Sequence, residues 1–208
     1  MKSRRWMCTS VLCLAVAVVS AQAQIVYTPV NISIPVNGQY NIDFDHNGII
    51  DFALQSKLIQ SYCQYGDGFL WTVAAKPAQA GNGVMAFESP FGWFDGAVPI
   101  GVQVGSNQTF YQGLAVMSEF EWGACGRSVY GQWLNLPDRY LGLQFQIVRN
   151  GIPETHYGWV KVSVAGYLDQ HGDLRSETFL SGFAYETTPD KPIATGQLFS
   201  LDKEDHHD

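Results

Sequence analysis

The sequence predicts an all-β fold, an antiparallel β-sandwich of the jelly-roll or lectin-like kind. Three observations carry this. Gly, Thr, Val and aromatic residues recur throughout, and helix-forming runs of Ala, Leu, Glu and Lys are scarce. Short segments with alternating apolar and polar residues return at intervals of roughly 8–12 residues, the rhythm of a sandwich or barrel. Gly, Asn, Asp or Pro separates them, as turns require.

The first 23 residues stand apart from that pattern. Lys2, Arg4 and Arg5 precede an apolar run from Val11 to Val19, and Ala21-Gln22-Ala23 follows. A basic head, a short apolar middle and a small-x-small end predict a secretory signal peptide over 1–23. The run is too short to span a bilayer. Cys13 lacks the small residue that precedes a lipid-modified cysteine, so a lipoprotein is not expected. Cleavage after Ala23 leaves 185 residues starting at Gln24. That length suits one β domain, 24–196. The last residues, "LDKEDHHD", are charged and without apolar period, so 197–208 is expected to be a disordered acidic tail. No second apolar segment follows, which predicts no membrane span after cleavage.

Without the leader the chain holds nine basic and nineteen acidic residues, a net charge of −10. Such a surface repels nucleic acid and anionic lipid and attracts cations. Cleavage also leaves two cysteines, Cys63 and Cys125. In an exported protein the simplest expectation is one disulfide between them.

The strands follow in order. Ile25–Val30 and Ile32–Val36 read as a first pair, and Gln39–Phe44 and Ile50–Ile59 as a second. Leu70–Ala74, Val84–Phe87 and Ile100–Val104 are weaker. Ala115–Trp122, Tyr140–Val148, His156–Val164 and Glu177–Tyr185 are the clearest. From His156, Gly158, Val160, Val162 and Val164 alternate with Tyr157, Trp159, Lys161 and Ser163. The small and branched set should face the core. "ESPFGWFDG", residues 88–96, has no clear period and could cover a sheet face or line a binding site.

Between the second pair of strands lies "DFDHNGIID". Counted from Asp43, oxygen-bearing side chains fall at positions one, three, five and nine: Asp43, Asp45, Asn47 and Asp51. Gly48 takes position six, where the chain must turn, and Ile49 can offer its carbonyl at position seven. Alternating carboxylates plus a carbonyl suit hard Ca²⁺, which prefers several oxygen ligands. Three crowded carboxylates exceed what a polar turn needs. The loop is not an EF-hand, because Leu54 stands where that loop has its bidentate Glu. The nine-residue form resembles the calcium loops of integrin-type FG-GAP repeats, which lie between strands.

Catalytic signatures are thin. Glu119 and Glu121 share one face of a strand, and paired carboxylates can cleave glycosidic bonds. A polysaccharide-acting glycoside hydrolase is therefore the alternative to a non-catalytic binding role, although a solvated strand face is the simpler explanation of the pair. No Gly-x-Ser-x-Gly elbow, His-Glu-x-x-His or phosphate-binding glycine loop occurs. His156, beside Tyr157 and Trp159, reads as structural. Trp71, Trp93, Phe94, Trp122 and Trp133 could stack on sugars or fill a core. Trp93 and Trp122 are kept as candidates for ligand binding.

Three C-terminal stretches, "RYLGLQFQIV" from Arg139, "THYGWVKVSV" from Thr155 and "GFAYETTPDKPIATG" from Gly182, resemble uncharacterised exported bacterial proteins of the PEP-CTERM-associated type. That resemblance implies export to the cell envelope or extracellular matrix. It implies no activity and no catalytic residues. After Gly196 the sequence shows no Pro-Glu-Pro, so release is expected rather than anchoring by that signal. Taken together, the expectation is a secreted, calcium-stabilised β protein with a binding or adhesion role towards a glycan or surface protein.

Overall fold

The computed structural model describes residues 24–124 and 126–199. The expected signal peptide 1–23, Cys125 and residues 200–208 of the expected tail lie outside them. Fourteen strands are present among the described residues, and none of those residues is helical. They are β1 (Ile25–Ile34), β2 (Gln39–Ile42), β3 (Phe52–Cys63), β4 (Gly66–Pro77), β5 (Gly83–Ser89), β6 (Gly92–Asp95) and β7 (Gln103–Val104). Then come β8 (Phe110–Tyr111), β9 (Ala115–Gly123), β10 (Gly126–Gly131), β11 (Leu136–Arg149), β12 (Ile152–Leu168), β13 (Leu174–Glu186) and β14 (Ile193–Ala194).

The all-β expectation holds, but the strands expected to make two facing sheets are hydrogen-bonded into one, with only the short β7–β14 pair apart from it among the described residues. Twelve strands make one sheet in the order β1-β13-β12-β11-β5-β6-β9-β4-β3-β2, with β10 on β9 and β8 on β5. The corner is β5. Its start pairs with β11 through Val84 and Leu143, and its later residues pair with β6 from Ala86 to Ser89. The two halves a sandwich would keep apart are thereby joined. Nor is the sheet purely antiparallel, since β6 meets β9 in parallel at Phe94 and Val116. Curling on itself, it nearly closes into a barrel. Its ends, β1 and β2, are consecutive in sequence and joined by the tight turn where Gly38 N–H bonds Pro35 C=O at 2.8 Å.

The interior explains the curl. Trp71, Val73, Met117 and Phe120 from one half face Leu141, Phe145, Val160, Val162, Leu180 and Phe183 from the other in one apolar cluster. Closing the halves removes both apolar faces from water at once. The valines of β12 lie inward as their alternation predicts. The opposite face of β12 is buried too. Tyr157 and Trp159 form a second cluster with Ile25, Tyr140, Val104 and Ile193. The short β7–β14 pair, held at Val104 and Ile193, contributes two of those residues.

Several boundaries differ from the sequence reading. The expected first pair of strands is one strand, β1, with an irregularity between Pro29 and Ile32. Proline cannot donate to the ladder, so the break falls where the sequence allows it. "ESPFGWFDG" is the β5–β6 hairpin, with Ser89 opposite Gly92. Among the described residues no helix is long and apolar enough to cross a membrane.

Candidate metal centre at the β2–β3 connection

β2 ends at Ile42 and β3 begins at Phe52, so the aspartate loop is their connection. Its ends are clamped by Asp51 N–H to Ile42 C=O at 2.8 Å. Phe44 pins the loop from below. Its ring is fully buried, stacks on Phe145 at 4.7 Å and meets Phe183 edge-on at 5.2 Å. Alternation does the rest: Ile42, Phe44 and Phe52 point into the core, and the oxygen-bearing residues converge above them. Gly48 turns the chain at φ +86°, a conformation that favours glycine.

The geometry brings three of the expected ligands together. One carboxylate oxygen from each of Asp43, Asp45 and Asp51 lies within 4.8 Å of the others. Backbone donors hold the first two. Asp43 accepts N–H bonds from Asn47 at 3.2 Å and Gly48 at 2.8 Å, and Asp45 accepts one from Asn47 at 3.3 Å. A carboxylate keeps spare lone pairs after such bonds. Asn47 is less ready to ligate. Its Oδ1 accepts the Ile49 N–H at 2.7 Å and its Nδ2 donates to Asp45 at 2.9 Å, so its oxygen must rotate to reach an ion. Ile49 is exposed.

Asp51 is the unusual member, being only 4% exposed. Burial lifts its pKa to about 6, and the charges of Asp45 and Asp43 add to the rise. Hydrogen bonds from Phe44 N–H at 2.8 Å and Asn82 Nδ2 at 3.3 Å oppose it. Like charges gathered without a counter-ion cost free energy, and a divalent cation removes that cost.

Two partners of the loop are not evident from the sequence. Asn82, fully buried, donates to Asp51 and accepts the Gln146 N–H of β11 at 3.0 Å, tying the loop to the other half of the sheet. It lies in Gly81-Asn82-Gly83, which reads as a turn, and nothing local marks its amide as core. His46, inside the loop, lies 3.0 Å from Thr28 Oγ1 of β1. A cavity of about 400 Å³ opens beside the loop, lined by Asn47, Asp51, Gln79 and Gln146 among others.

The remaining candidates are dispersed. Glu119 and Glu121 are half-buried on β9, beside Thr72 and Leu70 of β4 and Tyr130 and Ser128 of β10. Burial, and then the Glu121 charge, raise the pKa of Glu119. The cavities beside the aspartate loop and beside Trp122 are lined by neither glutamate. Trp93 stacks on Tyr111 at 4.6 Å, nearly coplanar at 7°. Trp122 lies between Phe69 at 5.5 Å and Phe120 at 5.3 Å. β6 meets β9 at Val116, six residues before Trp122, so the two tryptophans stand roughly 20 Å apart along the strand and share no site. Trp71 and Trp133 are core. His156 is buried, and its Nδ1 donates to the Glu186 carbonyl at 2.9 Å. Cys63 ends β3, and Cys125 lies outside the described residues.

No family model matches the chain, and no curated protein or solved structure is significantly similar to it.

Proposed function

We propose that the chain is an exported, calcium-stabilised β protein of the cell surface or extracellular matrix, which binds a glycan without cleaving it. The observation that carries the calcium part is the convergence of Asp43, Asp45 and Asp51, one of them buried, at a junction of three strands. Ca²⁺ there, with Asn47 and the Ile49 carbonyl completing its shell, serves the fold. The ion links β2 and β3 and, through Asn82, β11. The non-catalytic reading is favoured because Glu119 and Glu121 stand on a strand face between side chains of β4 and β10. Glu119, whose pKa is raised by burial and then by the Glu121 charge beside it, keeps a glycoside hydrolase as the second reading.

Export brings the expected Cys63–Cys125 disulfide with it. It is supported by the place of Cys63 at the end of β3 and by the chain beside position 125. Ala124 N–H bonds Asp67 C=O at 3.0 Å, at the turn that follows Cys63.

A glycan array run beside a reducing-sugar assay separates the two readings. Binding without sugar release supports the first. Release that disappears in Glu121→Gln supports the second and overturns the first. Thermal melting with calcium and with chelator tests the ion independently, and identical curves would remove it from the proposal.

A further inference from the structure

The outer face of β2, β3 and β4 carries a hollow whose cause is readable in the register. Asn41, Ala53 and Lys76 form one row across the three strands, and Gln39, Gln55 and Ala74 form the next. Alanine stands among long polar neighbours in each row. With no bulk above Ala53, a cavity of about 390 Å³ opens there, walled by Gln39, Asn41, Gln55 and Lys76 and bordered by Ile50 of the aspartate loop.

The walls are ordered. Gln55 Nε2 donates to Gln39 Oε1 at 2.9 Å, and Gln39 Nε2 donates on to Asn41 Oδ1. This relay fixes both ends. Gln55 Oε1 remains as an acceptor and Asn41 Nδ2 as a donor, with no protein partner for either among the described residues. A hydroxyl both donates and accepts, so adjacent hydroxyls on a ring can satisfy both ends. Lys76 adds a cation. The ion pairs among the described residues use other basic groups and leave Lys76 unpaired. In a chain of strongly acidic charge, an unpaired lysine at the edge of a polar hollow favours an anionic ligand.

We propose that this hollow binds an acidic sugar, a uronic acid unit of an extracellular glycan. The carboxamide relay takes ring hydroxyls and Lys76 takes the carboxylate. The proposal rests on the glycan-binding reading above and assigns it a site and a ligand class. The site is separate from Trp93 and Trp122, whose rings are already stacked on neighbours.

The test is calorimetric titration of the full mature protein at fixed free calcium. The probes are a short oligouronate and the matching neutral glucose oligomer. The oligouronate should bind more tightly than the neutral oligomer. Lys76→Gln should lose about tenfold or more of that affinity, as expected for a charge-assisted contact. Ala53→Leu, which fills the hollow on the outer face, should abolish binding while the melting temperature stays close to that of the parent. Equal affinity for the two probes, or undiminished oligouronate binding in both variants, overturns the site. If the neutral oligomer binds and both variants keep that binding, glycan recognition survives and this location for it fails. If neither probe binds and the array is also blank, both readings fall.

Discussion

His46 of the aspartate loop meets Thr28 of β1, with Nε2 3.0 Å from Oγ1. The two residues belong to opposite ends of the sheet, where β1 and β2 exchange no ladder hydrogen bonds. A side-chain bond thus crosses the seam that the backbone leaves open. Both groups are solvent-accessible, which limits the bond's net worth to about 0.5–1 kcal/mol. His46→Ala should lower the unfolding free energy by that amount, read as a lower urea midpoint at an unchanged denaturant slope. An unmoved midpoint means that the seam is held by packing alone.

Calcium should raise the melting temperature of chelator-treated protein. At a free concentration about 100 times the dissociation constant the gain is about 2.7 kcal/mol. For a domain of this size that corresponds to roughly 5–10 °C. Asp45→Ala should abolish the response. A variant that still responds would place the ion elsewhere.

Asp95 should make stability depend on pH. Neither of its carboxylate oxygens has a hydrogen bond of ordinary geometry, and it is fully buried in the β6 segment of the wall. Burial drives its pKa well above the carboxylate range, against a weaker pull from the Ala75 backbone. The folded state therefore holds the proton more tightly than the unfolded state. The resulting stabilisation is complete below the ordinary carboxylate pKa and is lost as pH rises towards the raised value. Asp95→Asn should flatten that part of the stability profile and raise the unfolding midpoint at neutral pH. Profiles that coincide would mean that the carboxyl is solvated on the timescale of titration.

Reduction should destabilise the oxidised protein. The proposed Cys63–Cys125 bond closes a long loop, for which the chain-entropy account gives about 4 kcal/mol. Cys63→Ser should unfold at correspondingly lower denaturant and should no longer respond to reductant. Intact-mass analysis with and without alkylation checks the pairing directly.

Legibility differed by element. The loop could be read because its three carboxylates are close together in sequence, so the turn that joins β2 to β3 is enough to gather them. The valine face of β12 could be read because a period of two survives in a long strand. The merging of two sheets into one could not, since it depends on β5 changing partners partway along, and nothing in Gly83–Ser89 announces a corner. Asn82 escaped for the same reason: its role depends on a contact 31 residues away. Tyr157 and Trp159 were placed on the correct face, but a second cluster covers that face. Alternation reports which way a side chain points and not what lies over it.

The seam has a further consequence for how the chain acquires its shape. Among the described residues β1 pairs only with β13, Ile25 lying opposite Glu186, so a strand near the start of the described chain meets its partner near its end. Contacts of such sequence separation slow folding, because a large loop must close before they form. Until β13 arrives, β1 is an unsatisfied strand edge, the kind of surface that recruits other chains. Pro29 and the irregularity beside it interrupt that edge. A strand made early is thus seated late, and a proline, which offers no N–H to a passing neighbour, stands in the middle of it.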